Sequence, residues 1–185
     1  MCNLSIAGVI LAAGFSRRLG RPKQTVVFGS ETLVERAARV ATASGVTPVI
    51  VVVNREADFC EALERRGCLV VMNELAAEGM ASSIRRGVRA ALSFRASGII
   101  LMTCDQVALE ADHLRRLLDD PARIVASSYA GRTGIPAYFP ASAFEELLLL
   151  HGDTGARDLL RSAATVANES LALDIDTEED VARLG

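Results

Sequence analysis

The apolar positions of this chain follow two alternating rhythms. Ser5 to Leu11 and Val49 to Val53 are nearly unbroken hydrophobic runs of strand length, and between them Leu33, Ala37, Val40 and Ala41 recur at the spacing of a helix face. The alternation continues with a helix near Glu56 to Arg66, a short strand at Cys68 to Met72, and a helix from about Ala81 that turns Ile84, Val88, Ala91 and Leu92 inward. Gly98 to Met102 is the next strand, Leu114, Leu117 and Leu118 mark another helix, and Ile124 to Ser128 and Ala137 to Phe139 read as strands. Helices near Ala141 to Leu150 and Thr154 to Ala163, a strand at Ser170 to Ile175 and a terminal helix from Glu178 complete the series. Strands that are apolar throughout and alternate with amphipathic helices imply a sheet covered on both faces. The expected fold class is therefore α/β, a three-layer Rossmann-like architecture with a mostly parallel central sheet. Ligands of such sheets sit beyond the carboxyl ends of the strands, where strand order reverses, and the loop after the first strand usually contributes.

Composition narrows this picture. A chain of 185 residues, 50% hydrophobic and 23% charged, suits one domain spanning 1–185 with a full-sized core. No apolar stretch approaches the length of a membrane span, and Met1-Cys2-Asn3 lacks the basic start of a signal peptide, so a cytoplasmic protein without membrane contact is expected. Cys2, Cys60, Cys68 and Cys104 form no C-x-x-C pair, which favours reduced thiols over disulfides or zinc. Only His113 and His151 are present, so a histidine metal site is not expected, and His113, within a leucine-periodic helix, reads as a surface residue.

Charge singles out one segment. The net charge is -3, yet residues 1–30 carry Arg17, Arg18, Arg21 and Lys23 and no acidic residue. A local basic site on an acidic protein points to a small anionic ligand rather than a nucleic acid, whose backbone would require an extended basic face. The segment, Leu11-Ala12-Ala13-Gly14-Phe15-Ser16-Arg17-Arg18-Leu19-Gly20-Arg21-Pro22-Lys23-Gln24, directly follows the first predicted strand. It fits neither the Walker A spacing nor the G-x-G-x-x-G dinucleotide fingerprint. Gly14 and Gly20 nevertheless allow backbone N–H groups to approach an anion, and Arg17, Arg18 and Lys23 supply opposing charge. The alternative is a solvated loop whose charges serve solubility alone.

Other segments carry candidate chemistry. Met102-Thr103-Cys104-Asp105-Gln106 closes a buried strand with a carboxylate at the same sheet edge, either a cap residue or an oxygen ligand for Mg²⁺. In Asp174-Ile175-Asp176-Thr177-Glu178-Glu179-Asp180, an extended backbone places Asp174 and Asp176 on one face, while Thr177 with Asp180 resembles a helix cap. Asn73 precedes Gly79 to Ser83, which is expected at a helix N-terminus, where free N–H groups and the hydroxyls of Ser82 and Ser83 suit a phosphate or simply cap the helix. Asp153 and Arg157 in Gly152-Asp153-Thr154-Gly155-Ala156-Arg157 have the spacing of a helix-surface ion pair.

Together these strings resemble the MobA-like nucleotidyltransferases, most of all the molybdenum cofactor cytidylyltransferases. The first segment is similar to their L-A-A-G-x-S-x-R-x-G-x-P-K signature. The later ones are similar to N-x-x-W-x-x-G-M-x-x-S-[LI]-x-x-G, C-D-Q-P, G-D-x-G-A-R and D-I-D-T-P-E-D, with Ala76 where tryptophan is common, Val107 for the proline and Ile135 where the family often has His or Asn. The resemblance implies a nucleotidyltransferase fold and transfer of CMP from CTP to the phosphate of molybdopterin. It implies a triphosphate wrapped by Leu11, Ala12, Ala13, Gly14 and Ser16, with Lys23 and Arg18 neutralising phosphate charge and Asn73, Ser82 and Ser83 on the nucleotide. It also implies Mg²⁺ on Asp105 with help from Asp176, a second substrate near Asp153 and Arg157, and a molybdoenzyme that receives the product. The paired alanines Ala12-Ala13 favour CTP over GTP by the same resemblance. Its rivals are a related transferase acting on a sugar, alcohol or choline phosphate, and a non-catalytic protein that delivers the cofactor.

Overall fold

The computed structural model describes residues 5–16, 18–55, 57–175 and 177–182. The chain runs β1 (Ile6–Ala12), β2 (Val27–Phe28), β3 (Glu31–Thr32), α1 (Leu33–Ser44), β4 (Val49–Val53), α2 (Cys60–Arg65), β5 (Leu69–Met72), α3 (Met80–Ser93) and β6 (Gly98–Thr103), then α4 (Ala111–Arg116), β7 (Val125–Tyr129), β8 (Arg132–Pro140), α5 (Phe144–Leu148), β9 (Ala164–Ala167) and α6 (Glu178–Ala182). Seven strands form one sheet in the order β5-β4-β1-β6-β8-β7-β9, and β2 and β3 form a separate ribbon. β5, β4, β1 and β6 are mutually parallel; β8 is antiparallel to both β6 and β7, and β9 is parallel to β7.

The apolar runs become strands because both of their faces are covered. Alternate residues of β1 enter different cores: Ile10 and Ala12 join α1 and α4 on one face, whereas Ala7, Val9 and Leu11 join α3 and α5 on the other. This is the three-layer arrangement the pattern predicts. A capping box starts α1, with the Thr32 hydroxyl accepting from the Glu35 N–H and the Glu35 carboxylate accepting from the Thr32 N–H. Gly87 lets α3 press against the sheet, since a Cβ there would lie 2.4 Å from Val9 Cγ1.

From β1 the chain builds outward through β4 to β5, then returns to place β6 on the other side of β1. Strand order therefore reverses between β1 and β6. Their carboxyl ends, Ala12 and Thr103, flank the crevice where a parallel sheet binds its ligand.

The C-terminal third departs from the sequence pattern. Residues 155–162 form successive turns instead of the expected helix, with Leu159 N–H donating to Ala156 O and Leu160 N–H to Arg157 O. Gly152 and Gly155 hold left-handed φ values of 65° and 60°, which break regular helix at its start. The strand expected at Ser170 to Ile175 is a 3-10 turn over Glu169–Ala172 followed by an isolated bridge between Gln106 and Asp174. The actual last strand is β9, a half-exposed edge strand without a continuous apolar run.

His113 is buried, not at the surface. It is 2% exposed, and its Nε2 lies 2.7 Å from Ser127 Oγ, whose hydroxyl donates to the Pro136 carbonyl. Ser127 Oγ therefore accepts from Nε2–H, while Nδ1 accepts from Arg116. Burial, aided by the Arg116 charge, pushes the imidazole pKa down to about 4.

Candidate active site

A cleft of about 450 Å³ opens at the β1/β6 switch point. One wall is the loop after β1, with Ala13, Gly14, Phe15, Ser16, Lys23 and Gln24; the floor holds Leu11, Thr103, Cys104 and Asp105; the opposite wall is residues 76–80 with Ser83 and Asp153.

The loop is shaped by its own hydrogen bonds. Ser16 has φ of 47°, and its carbonyl accepts from the Leu19 and Gly20 N–H groups, so the chain turns back on itself. Its hydroxyl accepts from the Lys23 N–H at 2.9 Å, which fixes the far end of the loop against the near end. Lys23 then reaches across the switch point, and its Nζ lies 2.9 Å from Asp105 Oδ2. The other carboxylate oxygen, Oδ1, accepts from Thr103 Oγ1 at 2.5 Å. Residues 82 positions apart thus meet because β1 and β6 are neighbours. Both side chains of the pair are about one-fifth exposed, so they face the cleft and remain accessible to a ligand.

Of the sequence candidates, the cleft gathers Leu11, Ala13, Gly14, Ser16, Lys23, Ser83, Asp105 and Asp153. Ala12 lies buried behind it, with its carbonyl bound by Gln24 Nε2. Arg18 is an exposed turn residue and does not line the cleft. Asn73 and Ser82 are buried and hold the second wall together. Asn73 Nδ2 donates to both Ser82 Oγ and Ser83 Oγ, and Ser82 Oγ bonds the carbonyls of Leu75 and Gly79. Arg157 is exposed and outside the cleft, and no ion pair joins it to Asp153 among the described residues, because the helix that would align them is absent. Asp176 and Arg17 lie outside the described residues.

The N-terminus of α3 differs from the sequence expectation of free donors. Met80 N–H donates to Asp153 Oδ1, Ala81 N–H to Gly152 O and Ser82 N–H to Gly79 O. Gly79 permits this docking: it has φ of 106°, and a Cβ would stand 2.7 Å from Gly152 O. The sequence reading assigned no role to Thr103, Gln24, Asn54, Phe15 or Glu78. Proximity to the motif was the only available signal for Gln24 and Thr103.

Among the described residues four charged ones line the cleft, and three of them are acidic: Glu78, Asp105 and Asp153 against Lys23. A polyphosphate entering this volume needs further positive charge. Asp105 offers a hard oxygen donor, and among the described residues no group of three His, Cys, Asp or Glu side chains could hold a metal by itself. That fits a cation of the Mg²⁺ kind, which binds through one or two carboxylates and completes its shell with substrate phosphates and water. Cys104 is no alternative nucleophile, since burial, reinforced by the Asp105 charge, pushes its thiol up to about 12.

Comparison with known proteins gives the same direction. Residues 8–168 match the MobA-like NTP transferase domain. The purine catabolism protein PucB of Bacillus subtilis is 34% identical, over 95% of this chain and 93% of its own length. The nicotine blue oxidoreductase of Paenarthrobacter nicotinovorans is 32% identical over 97% and 96%. A probable molybdenum cofactor guanylyltransferase of Opitutus terrae is 30% identical over 75% and 68%. The crystal structure of Rv0371c from Mycobacterium tuberculosis superposes with a TM-score of 0.82 at 35% identity, covering 100% of this chain and 98% of that one. A second crystal structure of Rv0371c, in complex with manganese, has a TM-score of 0.73 at 31% identity over 97% of each chain.

Proposed function

The chain belongs to the MobA-like NTP transferase family, and from that premise we propose that it transfers CMP from CTP to the phosphate of molybdopterin. An acceptor phosphate oxygen attacks the α-phosphorus in line, the bond from that phosphorus to the β-bridging oxygen breaks, and pyrophosphate leaves with the electron pair. The acceptor is already ionised at neutral pH, so no general base is required. Catalysis rests on alignment and charge neutralisation.

The observation that carries this reading is the Lys23–Asp105 pair across the switch point, at the head of a glycine-bearing loop. Lys23 exchanges its carboxylate partner for phosphate oxygens when the nucleotide enters, and Arg18 adds charge from the turn beside it. Asp105 would hold Mg²⁺, with Asp176 as a second carboxylate, and the metal would supply charge neutralisation on the phosphates. Ala13, Gly14 and Ser16 contact the triphosphate, Ser83 borders the nucleotide, and Asn73 and Ser82 set its position. CTP is chosen over GTP on the Ala12-Ala13 pair. The finished cofactor passes to a molybdoenzyme.

A second reading is favoured by the acceptor side, where Glu78 and Asp153 line the wall and Arg157 stands outside it. Carboxylates there suit a phosphate carrying a cationic or hydroxyl-rich group, such as choline phosphate or a sugar phosphate. The test is incubation of purified protein with Mg²⁺, each of the four NTPs and each acceptor, measuring pyrophosphate and the nucleotidylated product. CTP-specific turnover with molybdopterin is expected. Turnover with GTP alone would overturn the nucleotide choice, turnover with another phosphate alone the acceptor, and tight binding without turnover would make the protein a carrier.

A further inference from the structure

Gln24 sits immediately after Lys23, in the 3-10 turn Lys23–Thr25, and is 3% exposed. Its Nε2 donates two hydrogen bonds back into the loop, to Ala12 O at 2.8 Å and to Gly14 O at 2.9 Å. Asn54, at the end of β4, donates from Nδ2 to the carbonyl between them, Ala13 O, at 3.2 Å. Three consecutive carbonyls are therefore held by two side-chain amides. Because a trans peptide is planar, fixing the carbonyl of one residue fixes the direction of the next residue's N–H. The groups so fixed are the N–H of Ala13, Gly14 and Phe15. Among the described residues none of the three donates to a protein acceptor, and all three residues line the cleft. A run of unspent backbone donors on a concave loop binds anions.

We propose that Gln24 is a positioning residue for nucleotide binding: with Asn54 it locks the peptide planes of residues 12–15, so that three N–H groups are presented together to the triphosphate. Gln24 Oε1 is buried and accepts from no described residue, which subtracts from any stability the side chain contributes. A methionine of similar length would fill the same space without that orphaned oxygen. Its loss of function would then report on the amide bonds to the loop and not on packing. The proposal rests on the reading of this loop as the nucleotide site.

The test compares wild type with Gln24→Met, Gln24→Glu and Asn54→Ala in the full chain, with inorganic tripolyphosphate plus Mg²⁺ and then CTP as calorimetric probes. Gln24→Met is expected to weaken tripolyphosphate binding about tenfold, the scale of one to two lost net hydrogen bonds. Its midpoint of thermal unfolding is expected within a few degrees of wild type. In turnover the nucleotide KM rises by the same factor, while kcat and the acceptor KM stay put, a split that a merely structural role would not produce. Gln24→Glu is expected to do worse, because a carboxylate would face two carbonyl oxygens. Equal affinity in wild type and Gln24→Met overturns the proposal. Should that variant not fold, amide shifts of Ala13, Gly14 and Phe15 in wild type on adding tripolyphosphate, diminished in Asn54→Ala, support it, and unmoved amides overturn it. A wild type that binds neither tripolyphosphate nor any NTP overturns the site reading itself, a result separable from normal binding with an unaffected Gln24→Met.

Discussion

The loop wall of the cleft and the α3 wall both present the end of a backbone segment to the same volume, and they treat their hydrogen-bond donors in opposite ways. In the loop the carbonyls are occupied, by Gln24 and Asn54, and the N–H groups of Ala13, Gly14 and Phe15 donate to no acceptor among the described residues. At the start of α3 the N–H groups of Met80, Ala81 and Ser82 are occupied, by Asp153, Gly152 and Gly79. A helix N-terminus is a ready anion site only while its donors are unspent. Charge follows the same division, with Lys23 on the loop side and Glu78 and Asp153 on the other. The loop wall thus offers the donors and the positive charge that the proposed phosphate site needs, and the α3 wall is a docking joint between two chain segments.

Lys23→Ala is the hardest test of that division. Removing the ammonium leaves Asp105 with Thr103 as its remaining hydrogen-bond partner of the two described above, and removes the one cation that lines the cleft among the described residues. Transfer is expected to fall on the order of a hundred- to a thousand-fold in kcat/KM, the range for losing one charge-stabilising group. Ser83→Ala on the opposite wall is expected to cost less than about tenfold. Steady-state rates of pyrophosphate release check both, and equal effects would erase the distinction.

Gly79→Ala attacks the other wall. The added methyl would meet Gly152 O at 2.7 Å in a left-handed backbone, so the joint between α3 and residues 152–153 must open. The expected loss is about 3 kcal/mol of stability, or roughly 6–12 °C in Tm for a chain of this length. Tripolyphosphate affinity of the folded protein is expected to stay within about threefold of wild type. Loss of binding in proportion to stability would show that the walls are one unit.

The sequence disclosed the loop wall far better than the α3 wall, for physical reasons. Ser5 to Leu11, Val49 to Val53 and Gly98 to Met102 are apolar because the strands they form are covered on both faces, so their runs stand out and mark where each strand ends. The positions of Lys23 and Asp105 just beyond such runs put both at one sheet edge from the sequence alone. The C-terminal third is built from left-handed glycines, turns and the edge strand β9, whose half-exposed positions leave no run to see. Asp153 and Arg157 looked paired only on the assumption of a helix that Gly155 interrupts. The role of Asn73 and Ser82 inside the wall was hidden because their partners depend on how residues 73–79 fold back on α3. His113 was read as exposed because a helix of six residues shows too little of its period to separate its faces.

That buried histidine gives a pH test on the face of the sheet opposite α3, remote from both walls. Its folded-state pKa, about 4, lies below the unfolded value of 6.5, so the unfolded chain binds the proton that the folded one refuses. The contribution is whole above pH 6.5 and is lost as pH falls toward 4, with roughly 1 kcal/mol gone by pH 5.5. Denaturant unfolding at pH 7 and 5.5, in wild type and His113→Gln, isolates it from the carboxylates. A wild-type loss no greater than the variant's would mean that His113 is not held neutral.

The smallest effect is expected at Asp153, and it decides what the second wall is for. As an acceptor-binding residue, Asp153 would act through its charge, so Asp153→Asn and Asp153→Ala would both alter the acceptor KM with little change in stability. As the cap on α3 it acts through Oδ1, which takes the Met80 N–H at 3.1 Å. Asparagine keeps an oxygen for that bond and alanine does not. The cap role therefore predicts about 1 kcal/mol lost in Asp153→Ala, less than half of that in Asp153→Asn, and an acceptor KM within about threefold of wild type in both. Arg157→Ala, outside the cleft, is expected to leave the acceptor KM unchanged. Unfolding midpoints ranked alanine below asparagine below wild type support the joint. A KM that moves equally in both variants at constant stability would return Asp153 to the substrate and make the α3 wall a binding surface after all.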